Sequence, residues 1–120
     1  MTIPELREYC RAKKGVSEEL PFSDDVPVYK VMGKMYALVP LMVDVPRINL
    51  KCLPEESLER RARYEAVQLA YHMNKQHWIT ALCDGTIPRE ELCQWIDRSY
   101  ELVVQKLTKA MQKELSEINE

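Results

Sequence analysis

The sequence is poor in most of the features that announce a function. Only 3 glycines and 7 prolines interrupt 120 residues, which excludes a low-complexity or disordered chain. No two of the four cysteines (Cys10, Cys52, Cys83 and Cys93) form a C-x-x-C pair, which argues against a zinc knuckle or a thioredoxin-type centre. The longest apolar run, Met35 to Val43, is nine residues and is broken by Pro40, whereas a membrane span needs about 20. The opening MTIPELREYCRAKK is charged where a secretory signal would be apolar, so a cytoplasmic protein with reduced thiols is expected. Neither sign of charge dominates, with 17 Lys and Arg against 19 Asp and Glu and a net charge of −2. That excludes binding of nucleic acid by bulk charge while leaving room for a local basic face.

What remains is material for one core. At 46% hydrophobic residues, a chain of this size reads as a single domain over residues 1–120. Thr2 and Glu5 have capping-box spacing, Pro4 falls in a first helical turn, and Ile3, Leu6, Tyr9 and Cys10 share one helical face. Val16 to Asp25 reads as an acidic loop whose Phe22, the single phenylalanine, drops into the core as an anchor. Val26 to Val31 and Lys34 to Val39 read as strands around a tight turn at Met32-Gly33. Arg47 to Cys52 alternates, predicting Ile48 and Leu50 inward and Arg47, Asn49 and Lys51 outward.

A second helix opens at Pro54 and ends near Arg63, a solvated face with Glu56/Arg60 and Glu59/Arg63 pairs. Glu65 to Ala70 is a weak strand and His77 to Cys83 a stronger one. The final helix carries a stripe of Leu92, Trp95, Ile96, Ser99, Leu102 and Val103. Periodicity leaves Thr108 to Asn119 open between a continuation of that helix and a separate one. The expected fold is α+β: an antiparallel sheet of about five strands, with the N- and C-terminal helices packed on one face.

One stretch is distinctive: His72-Met73-Asn74-Lys75-Gln76-His77-Trp78, then Asp84-Gly85 and Pro88, then Asp97-Arg98-Ser99-Tyr100. It resembles the MmcQ/YjbR-like family, with its H-x-N-K-x-H-W segment, D-G-x-x-P turn and D-x-S-Y stretch. The likeness covers roughly residues 1–107. The chain departs from the family in lacking a proline near Thr108 and another before the first motif histidine, where it reads Ala66-Val67-Gln68-Leu69-Ala70. The resemblance implies a frataxin-like or secretion-chaperone-like α+β fold and DNA binding through a double wing of two hairpins. It implies no catalytic site.

The charge distribution is compatible with that role. Residues 26–83 hold eight basic and five acidic side chains, so the acidic balance lies outside the predicted sheet region. The expected DNA-contacting residues are Lys30, Lys34 and Lys51 from the strands, with His72, Asn74, Lys75 and His77 from the loop before Trp78. The partner would be double-stranded DNA. A protein-interaction adaptor without nucleic acid is the alternative, and an enzyme or small-ligand site around His72, Lys75 and His77 is the third reading. His72 and His77 are five residues apart, which suits neither one helical face nor one strand face for a metal. His77 and Cys83 are too far apart on one strand for a catalytic pair. The chain is therefore read as non-enzymatic, with no metal, cofactor or membrane partner. Trp78 is read as a sheet-to-helix core anchor near Trp95, and Cys52 and Cys93 as small core residues.

Overall fold

A computed structural model of the chain describes residues 1–70 and 73–118. Helix α1 (Ile3–Arg11) leads into strands β1 (Val16–Glu19), β2 (Val28–Val31), β3 (Lys34–Leu38) and β4 (Arg47–Lys51). Helix α2 (Pro54–Arg63) precedes β5 (Val67–Leu69) and β6 (Trp78–Leu82), and α3 (Arg89–Gln105) and α4 (Lys109–Ser116) follow. Among the described residues the strands form one antiparallel sheet of order β1-β2-β3-β4-β6-β5. α1 packs on β1, α2 on β5, and α3 on β3 and β4. Among the described residues no helix is long and apolar enough to cross a membrane.

The expected register at β4 is observed. Ile48 and Leu50 are fully buried, facing Ala81 and Ile79 of β6. Leu92, Trp95, Ile96 and Val103 of α3 close over them in the main core. Two features differ from expectation, and one left open by the sequence is decided. Val16 to Glu19 is an edge strand rather than loop, held by its ladder to β2. Lys109–Ser116 is a separate helix, because Thr108 turns extended and its hydroxyl accepts the Met111 N–H at 3.1 Å. Phe22 is not a core anchor: it is 67% exposed.

α1 starts on the reciprocal cap predicted from Thr2 and Glu5, with bonds of 3.0 and 3.3 Å. The Thr2 backbone N–H, then the Arg89 guanidinium at 2.6 Å, hold the Glu5 carboxyl down from 4.5 to about 2. A depressed carboxylate stabilises the fold fully above the unfolded value and stops doing so as pH falls through the folded value. Glu5 therefore adds acid sensitivity between about pH 4.5 and pH 2. In Glu5→Gln this part of the acid-unfolding limb should flatten, and the wild-type Glu5 carboxyl resonance should titrate near the lower end.

The β2–β3 hairpin turns on Met32 and Gly33, at φ 50° and 82°. Two successive positive φ values give the type I′ turn that matches strand twist. Three residues further on, the ladder skips: Tyr29 faces Ala37 and Lys30 faces Met35, leaving Tyr36 as a bulged residue. The buried Tyr36 ring meets Tyr100 edge-on at 5.4 Å, and its hydroxyl donates to the Cys10 carbonyl at 2.5 Å. Its own carbonyl accepts the Ser99 hydroxyl at 2.5 Å. The same Ser99 oxygen accepts the Lys51 N–H at 2.9 Å. One fully buried serine of α3 thus joins the bulge of β3 to the end of β4.

The α2 face departs from the simple solvated reading. Glu59 and Arg63 do pair at 3.2 Å. Glu56 instead holds Arg98 at 3.0 Å. Arg60 is buried, its guanidinium 4.8 Å from the centre of the Trp95 ring. All four cysteines are free thiols. Cys52 is a core residue, and Cys10 is another whose thiol burial pushes up to about 12. Cys93 is only half-buried at the α3 surface, because its position lies beside Met1 rather than under the sheet.

Candidate functional site

The helices pack on one face of the sheet, and the opposite face carries a second set of side chains. Strand alternation sends Lys30, Met35, Leu38, Asn49, Lys51, Trp78 and Thr80 to this outer face, opposite the buried Ile48, Leu50, Ile79 and Ala81. Trp78 is therefore not packed near Trp95. It is buried in a second cluster with Val28, Leu38 and Ala70, while Trp95 meets Tyr64 in the main core.

Two grooves share Phe22, Met35 and Trp78: one wraps the end of the sheet onto the end of α3, and the other crosses the outer face. The first, about 600 Å³, is lined by Lys30, Lys34, Lys51 and Lys106 as well as by Val103 and Leu107. The second, about 850 Å³, runs over Leu38 and Val26 and is bordered by Arg47, Asn49, Gln68, Asn74 and Thr80. No carboxylate among the described residues lines either groove. Lys30 is paired with Glu19 at 3.2 Å and Arg47 with Asp44 at 3.1 Å. Among the described residues Lys34, Lys51 and Lys106 are in no ion pair.

Antiparallel pairing explains why these groups meet. The Met32-Gly33 turn, the end of β4 and the start of β6 all lie at one end of the sheet. The last residues of α3 arrive at the same end, bringing Lys106. Burial, and then the neighbouring charge of Lys106, push the Lys51 ammonium below its ordinary value. A lysine whose folded pKa is lowered destabilises the fold at neutral pH, because its charged form is the disfavoured one. Lys51→Met should therefore leave folding stability unchanged or raise it by up to about 0.5 kcal/mol, as read by chemical denaturation.

Of the residues expected from sequence, Lys30, Lys34 and Lys51 come together in the first groove. Asn74 borders the second. Lys75 and His77 belong to the adjoining turn and line neither groove, and His72 lies outside the described residues. The turn itself is built by Asn74: its side-chain oxygen accepts the Gln76 N–H at 2.9 Å and its carbonyl accepts the His77 N–H at 3.1 Å. The His77 carbonyl then accepts the Cys52 N–H at 2.8 Å, which sets Trp78 opposite Lys51. Lys106 and Phe22 were not anticipated as site residues. The parity of Ile79 and Ala81 could have placed Trp78 outward, but no local signal brings Lys106 to β4. Among the described residues no cluster of His, Cys, Asp and Glu could hold a metal ion.

The profile of the YjbR family matches residues 11–102. The chain belongs to the YjbR family. It is 31% identical to Escherichia coli K12 YjbR over 98% of this chain and all of the relative. It is 39% identical to YbdF of Escherichia coli O157:H7 over 78% of this chain and 76% of the relative. The crystal structure of Deinococcus radiodurans protein DR2400, with its DUF419 domain, superposes with a TM-score of 0.87 at 40% identity, covering 96% of this chain and 88% of that one.

Within the YjbR segment, the D-x-S-Y residues have structural work to do. Asp97 accepts the Tyr9 hydroxyl at 2.8 Å and pairs with Lys13, tying α3 to α1. Ser99 makes the bulge contact, and the Tyr100 hydroxyl donates to the Lys14 carbonyl at 2.6 Å. Asp84 accepts both the backbone N–H and the hydroxyl of Thr86, at 3.0 and 2.6 Å, and fixes the D-G-x-x-P turn. The D-x-S-Y and D-G-x-x-P residues of this chain thus mostly tie elements together or form turns.

Proposed function

We propose that this small YjbR-family domain binds nucleic acid through the lysine end of its outer sheet face. The observation that carries the reading is the convergence of Lys34, Lys51 and Lys106, none in an ion pair among the described residues, beside Lys30 in one groove without a lining carboxylate. Ammonium groups at a surface contact phosphates without regard to sequence, and each contact releases counterions. The overall charge of −2 keeps such binding confined to this end.

The test is a duplex DNA titration at about 50 and 200 mM salt. Three to four lysine contacts give a log–log slope near −3, at about −0.9 per phosphate. No shift at about 50 mM salt would end this reading. The domain would then be read as a protein-interaction adaptor. One observation favours that second reading: Leu20, Phe22 and Met42, in the loops after β1 and β3, are 51%, 67% and 78% exposed, more large apolar surface than folding itself requires.

A further inference from the structure

The larger groove has no lysine in its lining, and its single cation, Arg47, is paired with Asp44 at 3.1 Å. Its floor is the buried Trp78 with Met35 and Leu38, and Phe22 reaches it from the loop after β1. A phenylalanine 67% exposed beside a buried indole forgoes burial that would itself be stabilising. Across the floor runs one row of cross-strand partners, Asn49 of β4, Thr80 of β6 and Gln68 of β5. The Thr80 hydroxyl donates to the Asn49 side-chain oxygen at 2.6 Å. That bond orients the amide and leaves its NH₂ donors, with both faces of the Gln68 amide, for a guest. Aromatic walls with a row of amides suit a flat heterocycle that carries ring acceptors and exocyclic donors. At about 850 Å³ the space is that of a small-molecule site and far too narrow for a duplex. The lysine groove opens from it across Trp78 and Phe22.

We propose that the two grooves form one site for an unpaired nucleotide, its base over Trp78 and against the Asn49–Thr80–Gln68 row, its phosphate among Lys34, Lys51 and Lys106. This rests on the nucleic-acid reading for the phosphate half only. The base half stands on the aromatic and amide residues. The charge complementarity selects an anionic guest, and the flat polar-edged floor selects a base rather than an aliphatic tail. The same chemistry is offered by a single strand and by a free nucleotide.

The test titrates the full chain with four probes of matched length or charge, followed by side-chain amide resonances of Asn49 and Gln68. The probes are a single-stranded oligonucleotide, its duplex, an abasic strand of the same length, and a mononucleotide. The base-bearing strand should bind about tenfold or more tightly than the abasic one, given the usual worth of base stacking, and should shift both amides. Phe22→Ala should remove most of that difference and leave the abasic strand unchanged. Because Phe22 is exposed, this variant keeps its fold. A mononucleotide that binds as tightly as the strand supports the site and names the free nucleotide as its source. Binding to the strand but not the duplex supports the site and overturns duplex recognition. Equal binding of strand, duplex and abasic strand, with still amides, overturns the proposal while phosphate binding stands. No binding of any probe overturns both.

Discussion

Ser99→Ala is expected to destabilise the protein by about 2–6 kcal/mol, as read by chemical denaturation. The estimate counts two backbone groups left without a partner, at about 1–3 kcal/mol each. They are the Tyr36 carbonyl at the bulge and the Lys51 N–H at the end of β4, both served by one hydroxyl that is fully buried. The loss would be a large part of the total stability of a domain this size, about 5–15 kcal/mol. Ser99→Cys, which keeps a weak donor and similar volume, should recover part of it. A Ser99→Ala loss below about 0.5 kcal/mol would mean that the bulge relaxes to find another partner. The same substitution should raise amide exchange at Lys51 more than at Ile48, which lies deeper in the β4–β6 ladder.

Joint replacement of Lys34, Lys51 and Lys106 by alanine is expected to weaken duplex binding on the order of a hundredfold at low salt. The figure takes about 1 kcal/mol per lysine near a polyanionic surface. The log–log salt slope should become shallower by about 2.7, three contacts at about 0.9 each. All three side chains are in no ion pair among the described residues, so folding stability should change by no more than about 0.5 kcal/mol. The loss should be the same for unrelated DNA sequences, since phosphate contacts carry no base information. Replacement of Lys109, Lys113 and Lys14 at the α4 side, which line neither groove, serves as the charge-matched control. A loss as large in that control would locate the binding surface elsewhere.

The parts of the fold legible in the sequence are those decided by neighbours in the chain. Arg47 to Cys52 alternates, and Ile48 and Leu50 are indeed buried. Thr2 and Glu5 meet within one helical turn, and their cap forms. The outer face was harder because a sheet with two apolar clusters blurs the alternation rule. Trp78 is apolar and buried, yet it belongs to the face away from the helices. Its neighbours Ile79 and Ala81 held the parity that places it. Phe22 misled for the opposite reason: a lone aromatic in a polar loop is usually drawn inward by its transfer energy, and here it stays out over a groove. Three of the four lysines of the first groove, Lys30, Lys34 and Lys51, were anticipated. Lys106 was not, since it reaches the others only through the docking of α3 on β3 and β4, a contact no local pattern encodes.

The strand order has a consequence for how this domain can meet other chains. Its margins are β1 and β5, of four and three residues. A guest peptide lying alongside either would find only a few unpaired backbone groups, and along β1 it would meet Glu18 and Glu19, already engaged by Arg7 and Lys30. Short, charged margins discourage edge-to-edge pairing of copies into fibres and equally deny a partner the strand-addition mode of binding. The long, well-paired β4 and β6 are shielded in the interior of the sheet. Recognition is thereby steered away from backbone zippering and onto side chains presented broadside.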